Sequence, residues 1–291
     1  MSRGDLGTGA TRAVLRCRYA SRGNVMVTTD LEKKRLATLR SFAIDQAMAR
    51  FATDYPNYQP HPIVASICAY EEEGAIGAVL DAMPDTINGE PYTTLVVVDG
   101  GHDATAQIAR AHPGVVVVEF PVNLGHGVAL QVTYRYCIDH AVRFVVTLDA
   151  DGQNDPAEIP QLLAPLLDDR ADFVVASRRL GQDHTTDVIR KSGVRFFSFV
   201  MNRMTGANLT DTSTGYRGLR VAMLADVIDR LHQEQYQTAE LLIVCLKRGW
   251  RAAEVPTVWH PRQAGTTKKG SNWLFGLRYA RVVFGTWWRE R

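Results

Sequence analysis

From Pro62 onward, short runs of β-branched and apolar residues alternate with amphipathic stretches, and this alternation restricts the fold more than any other feature. IVASICAY precedes EEEGAIGAVLDAM, TLVVVD precedes DATAQIARA, and GVVVVEF precedes GVALQVTYRYCIDHA. RFVVTLDA then precedes PAEIPQLLAPLL, and DFVVAS leads into a helical pattern through VIRKSGVRFFSFVMNRM. Strands that are apolar along their whole length must be covered on both faces, and the intervening helices supply the cover. The expected architecture is an α/β domain with a mostly parallel central sheet flanked by helices. In such sheets ligands collect beyond the carboxyl ends of the strands.

Composition agrees with one sizeable globular unit. Of the 291 residues, 46% are hydrophobic, ample for a core. The net charge of +2 gives no overall basic character, which argues against a nucleic-acid partner. Charge is nevertheless uneven. Five arginines face only Asp5 between Met1 and Val25, and seven basic residues face only Glu290 between Arg262 and Arg291. Cys17, Cys68, Cys137 and Cys245 form no CxxC pair, as expected of free thiols in a reducing compartment. The N-terminus lacks the apolar segment of a secretory signal, and no run approaches the roughly 18 apolar residues of a membrane span. A cytoplasmic protein is expected, with contact at a membrane surface left open.

Three parts follow. Residues 1–60 read as an N-terminal extension: a disordered start to residue 25, with Met26 as an alternative start to Met1, then a helix and a linker. Thr29 and Glu32 have capping-box spacing, and Leu36, Leu39, Ala43 and Ala47 continue one apolar face, giving a helix to about Phe51. The proline-rich DYPNYQPHP is the linker. Residues 61–262 form the main domain, and 263–291 a basic loop and an amphipathic helix.

The richest local signal is VVTLDADGQNDPAEIP, a strand that ends in acids. Asp155, Pro156 and Glu158 have a structural explanation as N-cap, first-turn proline and capping-box acid. Asp149 and Asp151 do not. On an extended chain they lie on one side, about 6.6 Å apart at two rises of 3.3 Å. Two anions held so close call for a cation, and Mg²⁺ and Mn²⁺ suit oxygen ligands, with phosphates and water completing the shell. A solvated loop with Asp151 in an Asx-turn is the competing reading. The preceding apolar strand favours the metal.

Further motifs stand in register with this one: SICAYEEE, VVVDGGHDAT, NLGHGVA, ASRRLG, DTSTGYRG and AEVPTVWHPRQAGTTKKG. Together they resemble a family 2 inverting glycosyltransferase of the GT-A fold, within it the dolichyl-phosphate or polyprenyl-phosphate sugar synthase branch. The resemblance runs from about Ile63 to Gly270. It implies that Tyr70 and Glu72 border the nucleobase with Asp99 beside it, and that Ala69, Asn123, Gly125 and Ala150 belong to the nucleotide-sugar site. It places Asp149 near the ribose or the metal, and Asp151 and Gln153 on the metal. Arg178, Arg217, Arg262 and Lys268 would face the diphosphate or an acceptor phosphate. The chain departs from the family at Glu71, where an asparagine is usual, and at Gly100, where a second aspartate is usual. His126 replaces a lysine and Thr267 a serine. Structural readings stand beside these roles: Tyr70 closing the core, Glu72 as a first-turn acid, Asp99 shaping a turn, Gln153 as a loop amide, Arg217 at a bulge.

The implied reaction moves a hexose from a GDP- or UDP-sugar to a polyprenyl or dolichyl phosphate with Mg²⁺ or Mn²⁺. Charge builds on the leaving diphosphate, where a cation and fixed donors lower the barrier. A phosphate acceptor is anionic at neutral pH and needs no general base. A hydroxyl acceptor, the alternative, needs a carboxylate within reach, with Asp211 as first candidate and Glu240 as second. Placement on a helix suits Glu240 better to orienting a neighbour such as Arg217. In the C-terminal helix Trp273, Leu277, Ala280, Phe284 and Trp287 recur at helical spacing, with Arg278, Arg281 and Arg289 on another face. That helix suits a membrane headgroup region, packing on the domain, or a contact between identical subunits. A nucleotidyltransferase would require a basic glycine-rich loop where this chain has CAYEEE. A non-catalytic sugar-nucleotide-binding module is the remaining rival.

Overall fold

The computed structural model describes residues 30–185, 188–262, 264 and 272–291. The expectations for the stretch to residue 25, for Met26 and the Thr29 cap, and for Thr267 and Lys268 lie outside these.

Helix α1 (Asp30–Asp54) leads into strand β1 (Ile63–Ala69), and short helices α2 (Ile76–Asp81) and α3 (Thr105–Ala111) flank β2 (Thr93–Val98). Then come β3 (Val115–Glu119), α4 (His126–Asp139), β4 (Phe144–Asp149) and α5 (Ile159–Leu167). β5 (Phe173–Asp183), α6 (Val188–Thr205), β6 (Arg217–Arg220), α7 (Val221–Val227), α8 (Gln237–Lys247), β7 (Ala252–Trp259) and α9 (Asn272–Arg289) complete the chain. The sheet has seven strands in the order β3-β2-β1-β4-β6-β5-β7. β6 alone among them runs antiparallel to its neighbours, entering with Arg217 opposite Thr147 of β4 and Val175 of β5. The loop before β6 therefore crosses the carboxyl ends of the parallel strands.

Each sheet face has its own core. Val64, Cys68, Val97, Val145, Val175 and Leu219 face a layer built from α1, α4, α7, α8 and α9. Ile67, Ala69, Val98, Val146, Leu148 and Ala176 face α2, α3 and α5. Adjacent residues on one strand feed opposite layers, which is why these strands are apolar throughout.

The expected N-terminal helix is present and ends three residues later than Phe51. Its Ala43, Ala47 and Phe51 enter the core, and the linker closes the sheet edge. The Tyr55 hydroxyl accepts the Val117 N–H at 3.2 Å, occupying an edge donor of β3. His61 N donates to Thr93 Oγ1 at 2.9 Å.

Asp155 caps its turn by accepting from Ala157 N at 2.9 Å. Glu158 does not complete a capping box. It accepts from the Thr257 hydroxyl and from Val258 N on β7, where the β5–β7 register slips between Ser177 and Gln182. A strand donor displaced from the ladder is the stronger demand on this carboxylate.

The face that α9 buries also differs from the expected stripe. Tyr279, Val282, Val283 and Thr286 pack inward, while Leu277, Phe284 and Trp288 are 53%, 51% and 70% exposed. The side chain of Trp273 lies outside the described residues. α9 carries apolar residues around most of its circumference, so spacing did not select the buried side. Among the described residues, no helix is long and apolar enough to cross a membrane.

Candidate active site

Six chain segments meet at the carboxyl edge of the sheet. They are the turns after β1, β2, β4 and β7, the middle of β5, and the loop before β6. Their acids and arginines are paired in a specific pattern.

Asp151 is buried at the turn after β4, accepting from Gln153 N at 3.0 Å through Oδ1 and from Arg262 Nη2 at 2.9 Å through Oδ2. The Asx-turn exists, and the second oxygen is still directed at a cation. Arg262 Nη1 also binds both oxygens of Glu72, at 2.7 and 2.9 Å, so one guanidinium joins the turns after β1 and β4. Burial opposes the charge on Arg262, but Glu72 and Asp151 outweigh it and hold its pKa above the ordinary arginine value. The Asp149 carboxylate, half-buried at the end of β4, borders Gly215, where a Cβ would lie 3.7 Å from its oxygens. Buried Asn154 fixes this bend by accepting the Asp149 N–H at 3.1 Å. Gln153 is itself buried, and its side-chain amide donates to His260 O at 3.3 Å. Its backbone accepts from His260 N at 3.0 Å, so residues 153 and 260 are laced together.

Tyr70 is half-buried beside Glu71, whose φ of +52° turns the chain at the end of β1. Glu72 is buried, and its N–H donates to Thr105 Oγ1 at 2.8 Å. Asp99 is buried and faces the backbone of the NLG segment, accepting from Leu124 N at 2.6 Å and Gly125 N at 2.9 Å. Burial pushes its pKa up to about 7, against the pull of those two donors. Gly125 has φ +106° at the start of α4, and the buried Asn123 side-chain oxygen has no partner among the described residues. The departure at Gly100 has a steric cause. With φ +69°, a Cβ there would lie 2.5 Å from the Val122 carbonyl carbon, so no aspartate fits this turn.

Arg178 and Asp211 form a buried bidentate pair: Nε to Oδ2 at 2.5 Å and Nη2 to Oδ1 at 2.9 Å. The guanidinium also reaches Ser213 Oγ at 2.7 Å and lies 4.8 Å from the centre of the Trp259 ring. Burial alone would raise the Asp211 carboxyl, but Arg178 overcomes it and holds the group below the ordinary aspartate value. Glu254 of β7, which spacing did not single out as a site residue, anchors this pair. It accepts from Thr210 N at 2.7 Å and Asp211 N at 2.8 Å. An acid inside a β-branched strand was the signal that could have revealed it.

Two further candidates are engaged by backbone groups and by a neighbouring helix. Arg217 is 1% exposed, and its guanidinium donates to the carbonyls of Thr214 at 2.7 Å, Thr238 at 2.5 Å and Thr212 at 3.1 Å. It ties the loop before β6 to α8. Glu240 accepts from His232 N and Gln233 N, both at 2.9 Å, and from Arg289 of α9 at 3.0 Å. It orients Arg289 and the chain before α8, with no bond to Arg217.

A reversed strand among parallel ones, with acids and arginines at the carboxyl edge, defines a GT-A-like α/β fold of the nucleotide-diphospho-sugar transferase type. Glucosyl-3-phosphoglycerate synthase from Mycobacterium tuberculosis, solved with Mn²⁺, UDP and glucosyl-3-phosphoglycerate, shares this fold at a TM-score of 0.63. It is 18% identical, with 81% of this chain and 82% of that one covered. Residues 65–228, more than half of the chain, match Glycosyl transferase family 2, and the chain belongs to that family. It is similar to the dolichyl-phosphate hexose transferase of Haloferax volcanii, at 34% identity over 68% of this chain and 82% of the relative. It is also similar to the undecaprenyl-phosphate mannosyltransferase of Micrococcus luteus, at 29% identity over 66% and 79%. These relatives support the polyprenyl-phosphate sugar synthase-like branch, and the chain is a glycosyltransferase.

Proposed function

We propose that the protein transfers a hexose from a nucleotide sugar to a polyprenyl phosphate, with inversion, using a divalent cation at Asp149 and Asp151. The observation that carries this reading is the Arg262–Asp151 pair at the carboxyl edge of the sheet, with Asp149 bordering Gly215 in the loop that carries Asp211, the partner of Arg178. Among the described residues no cluster of three or more metal-ligating side chains occurs. A pair of carboxylate donors fits Mg²⁺ or Mn²⁺, which take only one or two carboxylates when phosphate oxygens are present. When bound, that ion would neutralise the departing diphosphate.

The chain's own groups supply the rest. Tyr70 and Glu72 border the base, Ala69, Asn123, Gly125 and Ala150 line the sugar nucleotide, and Arg178 and Arg262 face phosphate oxygens. Lys268 is assigned to phosphate by resemblance alone. Gln153 acts as a strut beneath Asp151. Asp211, clamped by Arg178 and held below the ordinary aspartate range, is a poor proton acceptor. That supports an acceptor already anionic at neutral pH, such as a lipid phosphate. Leu277, Phe284 and Trp288, with Arg278 and Arg281 among them, and Phe196 and Phe199 on the adjoining α6 suit the inner surface of a cytoplasmic membrane. A second copy of the chain is the competing occupant. Residues 61–262 are taken as the catalytic unit.

The test has two parts. A thermal-shift screen of GDP and UDP with and without Mn²⁺ should show a nucleotide that raises the melting point only with metal. Radiolabel from the matching sugar nucleotide should then enter organic solvent when polyprenyl phosphate is supplied. Label that is transferred but stays in the aqueous phase would instead identify a soluble acceptor.

A further inference from the structure

Arg262 holds a place that the proposed chemistry requires for two other ligands. Its Nη2 binds Asp151 Oδ2 at 2.9 Å, the oxygen left over by the Asx-turn, while Nη1 grips Glu72. Both acids are largely shielded, with side-chain exposures of 8% for Asp151 and 9% for Glu72, and the Arg262 side chain is 21% exposed. Two shielded carboxylates on facing loops would repel one another, and a charge-assisted bridge between them removes that repulsion.

The bridge is also held in place. The paired backbone and side-chain bonds between residues 153 and 260 keep Arg262 beside the turn that carries Asp151. Two residues further on, Ala264 lies against Gly74. An added Cβ on Gly74 would come 2.9 Å from the Ala264 Cβ, so the chain fits there only because that side chain is absent. Arg262 and Ala264 thus both contact the acidic loop that follows β1.

We propose that Arg262 is the resident counter-ion of Asp151 and Glu72, and that a divalent cation gains Asp151 when a nucleoside diphosphate draws the guanidinium onto its phosphates. The inference rests on the metal-dependent reading above. A metal ion alone must displace a tethered guanidinium, whereas a metal–nucleotide complex gives that guanidinium a new anionic partner. Metal and nucleotide therefore bind with positive coupling, and Arg262 is the positioning residue that creates it. By linkage the same factor strengthens each ligand in the presence of the other.

Mn²⁺ binding, followed by the electron paramagnetic resonance of the free ion, tests this without turnover. Wild type, Arg262→Gln and Arg262→Lys are titrated with Mn²⁺ alone, with GDP and with UDP, after circular dichroism confirms folding. Arg262→Gln should bind Mn²⁺ alone about tenfold more tightly than wild type, and the enhancement by nucleotide should shrink by a similar factor. A single ammonium does not span both carboxylates, so Arg262→Lys should fall between the two. If Arg262→Gln does not fold, Arg262→Lys decides: tightening of severalfold supports the inference and none overturns it. Unchanged Mn²⁺ affinity in Arg262→Gln, with metal-dependent nucleotide binding intact in wild type, overturns the inference alone. Wild type that takes up no Mn²⁺ with either nucleotide overturns the metal-dependent reading as well.

Discussion

Asp151 and Asp99 are both buried acids at strand ends, and their partners give them different work. Asp151 gives one oxygen to the Arg262 guanidinium, and the proposed metal role predicts that Asp151→Asn abolishes the Mn²⁺-dependent thermal shift and lowers kcat about 10²–10³-fold, with little change in the apo melting point. Asp99 turns both oxygens onto the backbone of residues 124 and 125, and burial raises its pKa to about 7. The stability it contributes is complete below the unfolded aspartate value of about 4 and is lost as pH rises through about 7. The melting-point advantage of wild type over Asp99→Asn should therefore shrink between pH 5 and pH 8 in thermal denaturation. Sequence spacing singled out Asp149 and Asp151 because a turn that follows a buried strand leaves few structural reasons for paired acids. It could not show that Asp211 is locked to Arg178, since those residues meet only across a 33-residue separation.

At the scale of elements, α9 and the β5–β7 pair illustrate two kinds of constraint. α9 places Tyr279 against Phe197 of α6, with ring centres 4.7 Å apart, and leaves an aromatic and basic surface outward. Replacing Phe199 and Trp288 by Ser removes exposed apolar area without opening the core. Co-sedimentation with anionic vesicles should fall severalfold while the melting point is retained. Persistent vesicle binding would point away from this surface, and a fall in sedimenting mass without vesicles would point to self-association. Gly181 sits where a Cβ would overlap the Thr257 backbone at the register slip. Gly181→Ala should cost about 1–3 kcal/mol in urea unfolding by forcing β5 and β7 apart. The periodicity that predicted these helices and strands was strong. The packed face of α9 was not readable, because apolar residues occur around most of its surface.

For the whole molecule, Arg217 joins parts that are far apart in sequence. Its three carbonyl acceptors lie on the loop before β6 and at the start of α8, and its guanidinium stands 5.0 Å from the centre of the Phe173 ring. Arg217→Ala would leave buried carbonyls without donors, open space in the sheet layer and release the loop that carries Asp211. A loss of about 3–5 kcal/mol in chemical denaturation is expected, together with reduced nucleotide binding. The sequence by itself determined the α/β architecture, the succession of strands and helices and the acidic turn after β4, because periodicity, apolar runs and turn chemistry are local properties. Tertiary structure alone decided that Arg217 is a scaffold residue, that Glu254 anchors the Arg178–Asp211 pair, and that Arg262 bridges Glu72 and Asp151. Those roles depend on which groups burial brings within hydrogen-bond distance, and linear spacing does not encode that distance.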